Sequence, residues 1–333
     1  MDKGKTEMNG NVQPFVEAGK ILEVVTGSHA YGFATADSDM DVRGITVPSL
    51  DYILGCKHFE QQEYSGQDKV IYGLKKFVEL ALDCNPNIIE LLYIPDRHVL
   101  FADEWGRLLR DNSGLFLSKK ARHTFAGYAF AQLKRIKRHK RWLDNPPEKP
   151  NPMDFQFTRY MVLKEKDGHY MPTKVDKWLW DKTPENLRWT ESGIMSEYDA
   201  KLKDYQQYCT WRKERNPDRA VLEEKFGFDT KHASHLVRLF RMGEEIFRDG
   251  KVIVDRNDAG DAQEIFAIRQ GSMKYDDIIE YAEKAEERLD VLYATSNVIQ
   301  NKPNVNGAWE LYKKIVCGKL GLTFVVQEVP ACL

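Results

Sequence analysis

The chain has no run of eighteen consecutive apolar residues in its 333 positions, so no membrane-spanning helix is expected. Its five cysteines (Cys56, Cys84, Cys209, Cys317 and Cys332) are odd in number, scattered and never paired as C-x-x-C. That argues against a disulfide framework or a zinc site and fits a reducing compartment. Excess charge of either sign is also missing: 49 Lys and Arg stand against 51 Asp and Glu. Contact with nucleic acid must therefore come from a local basic patch rather than from the whole surface. The N-terminal MDKGKTEMNGN is polar and lacks the apolar core of a secretory signal. Internal repeats and low-complexity tracts are lacking, which leaves no repeat architecture to consider. With 42% hydrophobic and 30% charged residues, the composition is that of an ordinary globular protein, long enough for two cores. These features lead to the expectation of a cytoplasmic protein without membrane segments.

What is present is concentrated between Gly27 and Gly44. An apolar segment, Ile21 to Thr26, runs into Gly27-Ser28-His29-Ala30-Tyr31-Gly32, and Ser38-Asp39-Met40-Asp41-Val42-Arg43-Gly44 comes after it. Side chains alternate along an extended strand, so Asp39 and Asp41 are expected on one face. Two carboxylates that close raise each other's pKa unless a cation lies between them. Hard oxygen ligands suit Mg²⁺, which keeps most of its waters and takes one or two carboxylates plus substrate phosphates. Gly27 and Ser28 offer phosphates unobstructed backbone N–H groups and a hydroxyl. Arg43, two residues past Asp41, is expected on the carboxylate face, touching a phosphate or offsetting negative charge. Asp37, Asp39 and Asp41 also alternate as in a calcium loop. That loop needs Gly at its sixth position and Glu at its twelfth, where this chain has Val42 and Pro48, so the calcium reading fails. The bland alternative for the whole segment is an ordinary turn beside a solvated strand edge.

Gly-Ser followed about a dozen residues later by Asp-x-Asp resembles the signature of the DNA polymerase β-like nucleotidyltransferase superfamily. The fuller string GSHAYGFATADSDMDVRG resembles one branch of it, the predicted nucleotidyltransferases of bacteria and phages, some linked to RNA ligases and RNA repair. DKVIYGLKKFVELALDCNPNIIELL (68–92) and KHASHLVRLFRMGEEIFRDGKVIV (231–254) extend the resemblance, with a weak match at about 145–225. It implies an α+β fold: a small mixed β-sheet of the polymerase β palm type followed by a mainly helical domain. It also implies transfer of a nucleoside monophosphate from an NTP to a hydroxyl, with Mg²⁺ or Mn²⁺ in a two-metal site. By resemblance Asp39 and Asp41 are the metal-binding pair, joined by a third carboxylate from a later strand. Asp68 fits best and Glu63 is the reserve; the alternative for Asp68 is a plain turn residue. Gly27 and Ser28 would hold the nucleotide's β or γ phosphate, although Ser28 could equally cap a helix.

Strands are expected at Ile21–Thr26, Met40–Val47 and Val70–Tyr72. A helix is expected over Leu74–Leu82, with Leu74, Phe77, Val78 and Ala81 on one stripe. Asn85-Pro86 ends it, and a further apolar element runs from Ile88 to Tyr93. Later helices are read at Ser118–Trp142, at Lys231–Phe247 with Thr230 as cap and Gly250 near its end, and at Tyr275–Tyr293. Residues 155–225 show no clean periodicity. The expected organisation is a flexible N-terminus (1–13), a catalytic domain (14–102) and a mainly helical domain (103–333) with a possible insertion at 145–225.

Two further features look like binding surfaces. Lys231, His235 and Arg238 share one helical face suited to a triphosphate. The alternatives are a solvated basic stripe or a His235 bound to a core partner. Between positions 134 and 141, six of eight residues are Lys or Arg, among them Lys134, Arg135, Lys137 and Arg138, with Arg141 closing the run. That density points to a polyanion, either RNA or the nucleotide, against the alternative of a solvated face. Phe125, Tyr128 and Phe130 upstream either stack on bases or belong to the core. The leading expectation is an NTP-using enzyme acting on RNA, with an RNA ligase as functional partner. Nucleotidylation of a protein or small molecule is the second reading. A non-catalytic nucleotide-binding protein is the third, and the full set Asp39, Asp41 and Asp68 speaks against it.

Overall fold

A computed structural model describes residues 13–36, 38–64, 66–151, 160–166, 169–190 and 192–323. The expected flexible N-terminus therefore lies, apart from Gln13, outside the described residues, as do Asp37 and Cys332.

Five strands form one mixed sheet: β1 (Lys20–Thr26), β2 (Asp41–Thr46), β3 (Gln61–Tyr64), β4 (Lys69–Gly73) and β5 (Val99–Ala102), in the order β3-β4-β2-β1-β5. β1 runs antiparallel to β2 and β5, β3 antiparallel to β4, while β2 and β4 are parallel. β1 is an almost continuous apolar run because all of Ile21–Thr26 is buried. Its one charged member there, Glu23, is compensated by Lys69 Nζ at 2.5 Å and Lys20 Nζ at 3.0 Å. Two registers bring distant residues level with one another. Thr26 at the end of β1 pairs with Asp41 at the start of β2, and Val42 pairs with Lys69. Three separate points of the chain (the Thr26-Gly27 junction, Asp41 and Asp68) thus arrive at one end of the three central strands.

The helix Leu74–Leu82 forms as its stripe predicts, with Leu74, Phe77, Val78 and Ala81 fully buried. Pro86 then opens the helix Pro86–Tyr93, where Asn85 caps by accepting a hydrogen bond from the Asn87 N–H (3.1 Å). In the helix Glu104–Asp111, a Cβ on Gly106 would lie 2.1 Å from the Ile21 carbonyl oxygen. Only glycine allows that helix to rest so closely on β1. Further along come helices Thr230–Asp249, Ala262–Arg269, Tyr275–Thr295 and Val305–Leu320. Thr230 does not cap the first of these; its hydroxyl donates to the Arg269 carbonyl (2.7 Å). No helix among the described residues is long and apolar enough to cross a membrane.

The described residues fall into two compact units. One comprises residues up to 136 together with those from 230 onward; the other comprises 137–229. The chain divides there rather than at 102/103. The reason lies in long-range contacts: Lys319 Nζ donates to Asp103 Oδ2 (2.8 Å) and to the Lys20 carbonyl (3.0 Å), returning the last helix to β1. The 137–229 unit begins in the last turns of the helix Ala121–Asp144 and contains helices Ser192–Glu214 and Pro217–Phe226. It also has its own antiparallel sheet of β6 (Tyr160–Lys166), β7 (His169–Val175) and β8 (Arg188–Thr190), in the order β7-β6-β8. The chain after residue 102 is mainly helical among the described residues, with this small sheet in addition.

Candidate active site

β1 ends at Thr26, and Gly27–Ala30 makes one helical turn immediately after it. Gly27 has φ +67°, and a Cβ there would lie 2.2 Å from Asp41 Oδ2. Any side chain at this position would be strained and would collide with the carboxylate. The backbone of the Gly-Ser turn and the Asp41 carboxylate are therefore in direct contact. Thr26 Oγ1 adds a donor to the Asp41 carbonyl at 3.3 Å. His29 Nε2 lies 3.0 Å from the Ser38 carbonyl, tying the turn to the loop that leads into β2.

Asp41 is half-buried, and this burial pushes its carboxyl above the ordinary value. Among the charges, Arg43 opposes the shift most; Asp68 and Asp39 add to it and Lys231 opposes it. Arg43 Nη2 stands 3.5 Å from Asp41 Oδ1, and its Nη1 donates to the Asp68 carbonyl (2.7 Å) and the Val42 carbonyl (2.9 Å). Arg43 so laces the mouth of β4 to β2 while offsetting the carboxylates. Asp68 sits exposed in the turn before β4, and its carbonyl also accepts the Val42 N–H at 2.8 Å. Glu63 pairs with Val70, farther along the strand, and its carboxylate accepts from Gln61 Nε2 at 2.7 Å. Asp39 differs from expectation: β2 starts only at Asp41, so Asp39 is an exposed residue before the strand, not a member of it.

A Gly-Ser turn is thus packed on a strand carboxylate, with a second carboxylate in the turn that leads into the neighbouring parallel strand. Residues 7–143 match the model of the RNA repair pathway DNA polymerase beta family, RlaP. Over that stretch the chain is similar to this family. Polymerase β-like proteins are generally nucleotidyltransferases and generally use divalent metal ions. The chain is also similar to an uncharacterized 38.9 kDa protein of Enterobacteria phage T4 from the nrdC-mobD intergenic region. The two are 23% identical over 321 residues, covering 86% of this chain and 94% of the phage protein. No solved structure matches.

The helix Thr230–Asp249 brings Lys231 into the electrostatic surroundings of Asp41. Lys231 and His235 are half-buried on this helix. Arg238, assigned to the same nucleotide-facing stripe from sequence, is instead buried: its Nη1 donates to Glu90 Oε1 at 2.5 Å. Its guanidinium lies 3.7 Å from the centroid of the Tyr31 ring, and Tyr31 OH donates to Glu90 Oε2 at 2.7 Å. Burial, with Glu90 beside it, holds the Tyr31 phenol protonated far above its ordinary range. The helix face turns into the core one turn after His235, so Arg238 supports the Gly27–Gly32 turn from behind rather than meeting a phosphate. Sequence reasoning misses Glu90 and Tyr31 as a pair. The available signal is a lone carboxylate inside the apolar run Ile88–Leu92, which burial makes costly without a cation. Farther on, Arg256 N–H donates to the Tyr31 carbonyl (3.1 Å), and a Cβ on Gly32 would sit 2.1 Å from Asn257 Nδ2. The turn is pinned at both of its ends.

The basic run proves partly engaged. Lys134, Arg135 and Lys137 are exposed, whereas Arg138 Nη1 donates to Gln207 Oε1 (3.2 Å) and Arg141 Nη2 to Asp204 Oδ1 (2.5 Å). The upstream aromatics are not a stacking platform. Phe125 is fully buried, Tyr128 OH accepts from Asn85 Nδ2 (2.9 Å), and Phe130 packs edge-on against Phe240.

Two substitutions separate support from chemistry at this site. Arg238→Ala leaves the buried Glu90 without its cation, which should cost about 3–5 kcal/mol of stability and lower the melting temperature; an unchanged melting temperature with weakened NTP binding would restore a direct phosphate role. Asp41→Asn removes a carboxylate whose charged form the fold disfavours, so at pH 7 the variant should melt above wild type without added metal. Because the penalty vanishes once the carboxyl is protonated in both states, the gain should shrink as pH falls toward the ordinary carboxyl value of 3.8. A variant that melts lower at pH 7 contradicts the reading.

Proposed function

We propose that the protein is a metal-dependent nucleotidyltransferase that moves a nucleoside monophosphate from an NTP to a hydroxyl on RNA and releases pyrophosphate. The observation that carries this reading is the contact of the Gly27 backbone with the Asp41 carboxylate, with Asp68 level with it across β2 and β4. The donor set fits a divalent cation. Burial holds Asp41 above its ordinary pKa, with Asp68 and Asp39 adding to the shift against Arg43 and Lys231, and a cation bound there would offset it. Asp39, Asp41 and Asp68 would hold Mg²⁺ or Mn²⁺. Bound there, the metal supplies stabilisation of the charge that builds on the attacking and leaving oxygens.

The residues of the chain do the rest. Gly27 and Ser28 present N–H groups and a hydroxyl to the β and γ phosphates, and Lys231 and His235 neutralise the triphosphate from the other side. The acceptor hydroxyl attacks the α-phosphorus, the bond to the bridging oxygen breaks, and pyrophosphate leaves. Asp68, exposed at the mouth of β4, takes the hydroxyl proton. RNA as acceptor is supported by the family description and by the exposed Lys134, Arg135 and Lys137.

Purified protein incubated with each α-³²P-labelled NTP, Mg²⁺ and total RNA should label RNA, and an Asp39→Ala, Asp41→Ala double variant should leave it at background. Label on protein instead would replace RNA as the acceptor. No label with any NTP under Mg²⁺ or Mn²⁺ would remove the transferase reading.

A further inference from the structure

The 137–229 unit carries an open groove of about 870 Å³ that no part of the transfer chemistry uses. Its floor is one stripe of the helix Ser192–Glu214: Tyr205, Tyr208, Cys209, Arg212 and Lys213, spaced as i, i+3, i+4, i+7 and i+8. The opposite wall is the segment after the helix Ala121–Asp144, where Pro146-Pro147 cannot continue the helix and Lys149 comes next but one.

The rotation of the floor helix is set by its neighbouring stripe. Asp204 Oδ1 accepts from Arg141 Nη2 (2.5 Å) and Trp142 Nε1 (3.2 Å), and Gln207 accepts from Arg138. The Trp211 ring lies 5.4 Å from Trp142. With that stripe packed, Arg212 and Lys213 are exposed at one end of the groove and the tyrosines line the other. Arg215 does not join them, because Glu223 takes it at 2.5 Å. Among the described lining residues, Glu148 is the one carboxylate, against Lys149, Arg212 and Lys213. Tyrosine faces followed by cations along one helix are what an unpaired polynucleotide requires: rings for bases, cations for phosphates. A peptide acid would use the cations and leave the tyrosines idle.

We propose that this groove binds single-stranded RNA, with bases stacked on Tyr205 and Tyr208 and phosphates held by Lys149, Arg212 and Lys213. The inference rests on RNA as acceptor in the proposed function and locates where the strand is gripped.

The test is fluorescence anisotropy of a fluorescein-labelled mixed-sequence RNA of about 12 nucleotides, with wild type, Tyr205→Ala, an Arg212→Gln, Lys213→Gln double variant, and Asp41→Asn. Tyr208 is left intact because it also packs on Trp142 and Trp211. Tyr205→Ala should weaken binding about tenfold. The double variant should lower the slope of log affinity against log salt by about 1.4, or about 0.7 for each lost phosphate contact. RNA should also slow alkylation of the exposed Cys209. Asp41→Asn should bind RNA as wild type does. Wild-type binding by both groove variants, with Cys209 unprotected, overturns the groove even if RNA is labelled in the transfer assay. Groove-dependent binding without transfer leaves the groove standing and removes the transferase reading. Equal loss of polyglutamate and RNA binding in the double variant, with Tyr205→Ala silent, identifies an acidic-peptide site and overturns the proposal.

Discussion

The contact between the Gly27 backbone and the Asp41 carboxylate constrains everything around it. It needs a left-handed residue without a Cβ after β1, a strand register that sets Thr26 opposite Asp41, and a parallel β4 that brings Asp68 level. None of these alone makes a site. Together they put backbone donors and carboxylate acceptors at one end of the central strands, which is what a phosphate and a cation require at once.

A site built this way is electrostatically uncomfortable in isolation, and the surrounding residues reflect it. Burial lifts the Asp41 carboxyl, Arg43 and Lys231 hold it back, and the balance is left in favour of a further cation. The turn itself is kept in place by uncharged and charged contacts from behind: Arg238 on the Tyr31 face, Glu90 on its hydroxyl, and the Arg256 N–H on its carbonyl. Rigid support of this kind holds a turn in a shape that receives phosphate without reorganisation.

Much of this is legible in the sequence where one physical cause dominates. Ile21–Thr26 reads as a strand because it is buried on both faces, and Leu74–Leu82 as a helix because its apolar stripe is complete. β3 and β5 are not legible: they are short, and their exposed residues leave no clean buried run. Helical spacing puts Lys231, His235 and Arg238 on one face, but spacing cannot say where a helix passes from the site into the core. Glu90 decides that, from 148 positions away. The boundary at 102/103 fails for the same reason, since Lys319 returning to Asp103 is a contact that no local pattern announces. The sheet within 160–190 stays hidden because its segments carry no regular alternation.

The central claim is that Asp41 and the Gly27-Ser28 turn bind a cation and a nucleotide as one unit. Isothermal titration calorimetry of a non-hydrolysable NTP analogue, with and without Mg²⁺, measures this directly. Tight binding should require Mg²⁺ in the wild type, and Asp41→Asn should bind the analogue weakly and equally in both conditions. Equal affinity with and without Mg²⁺ in the wild type would contradict the account.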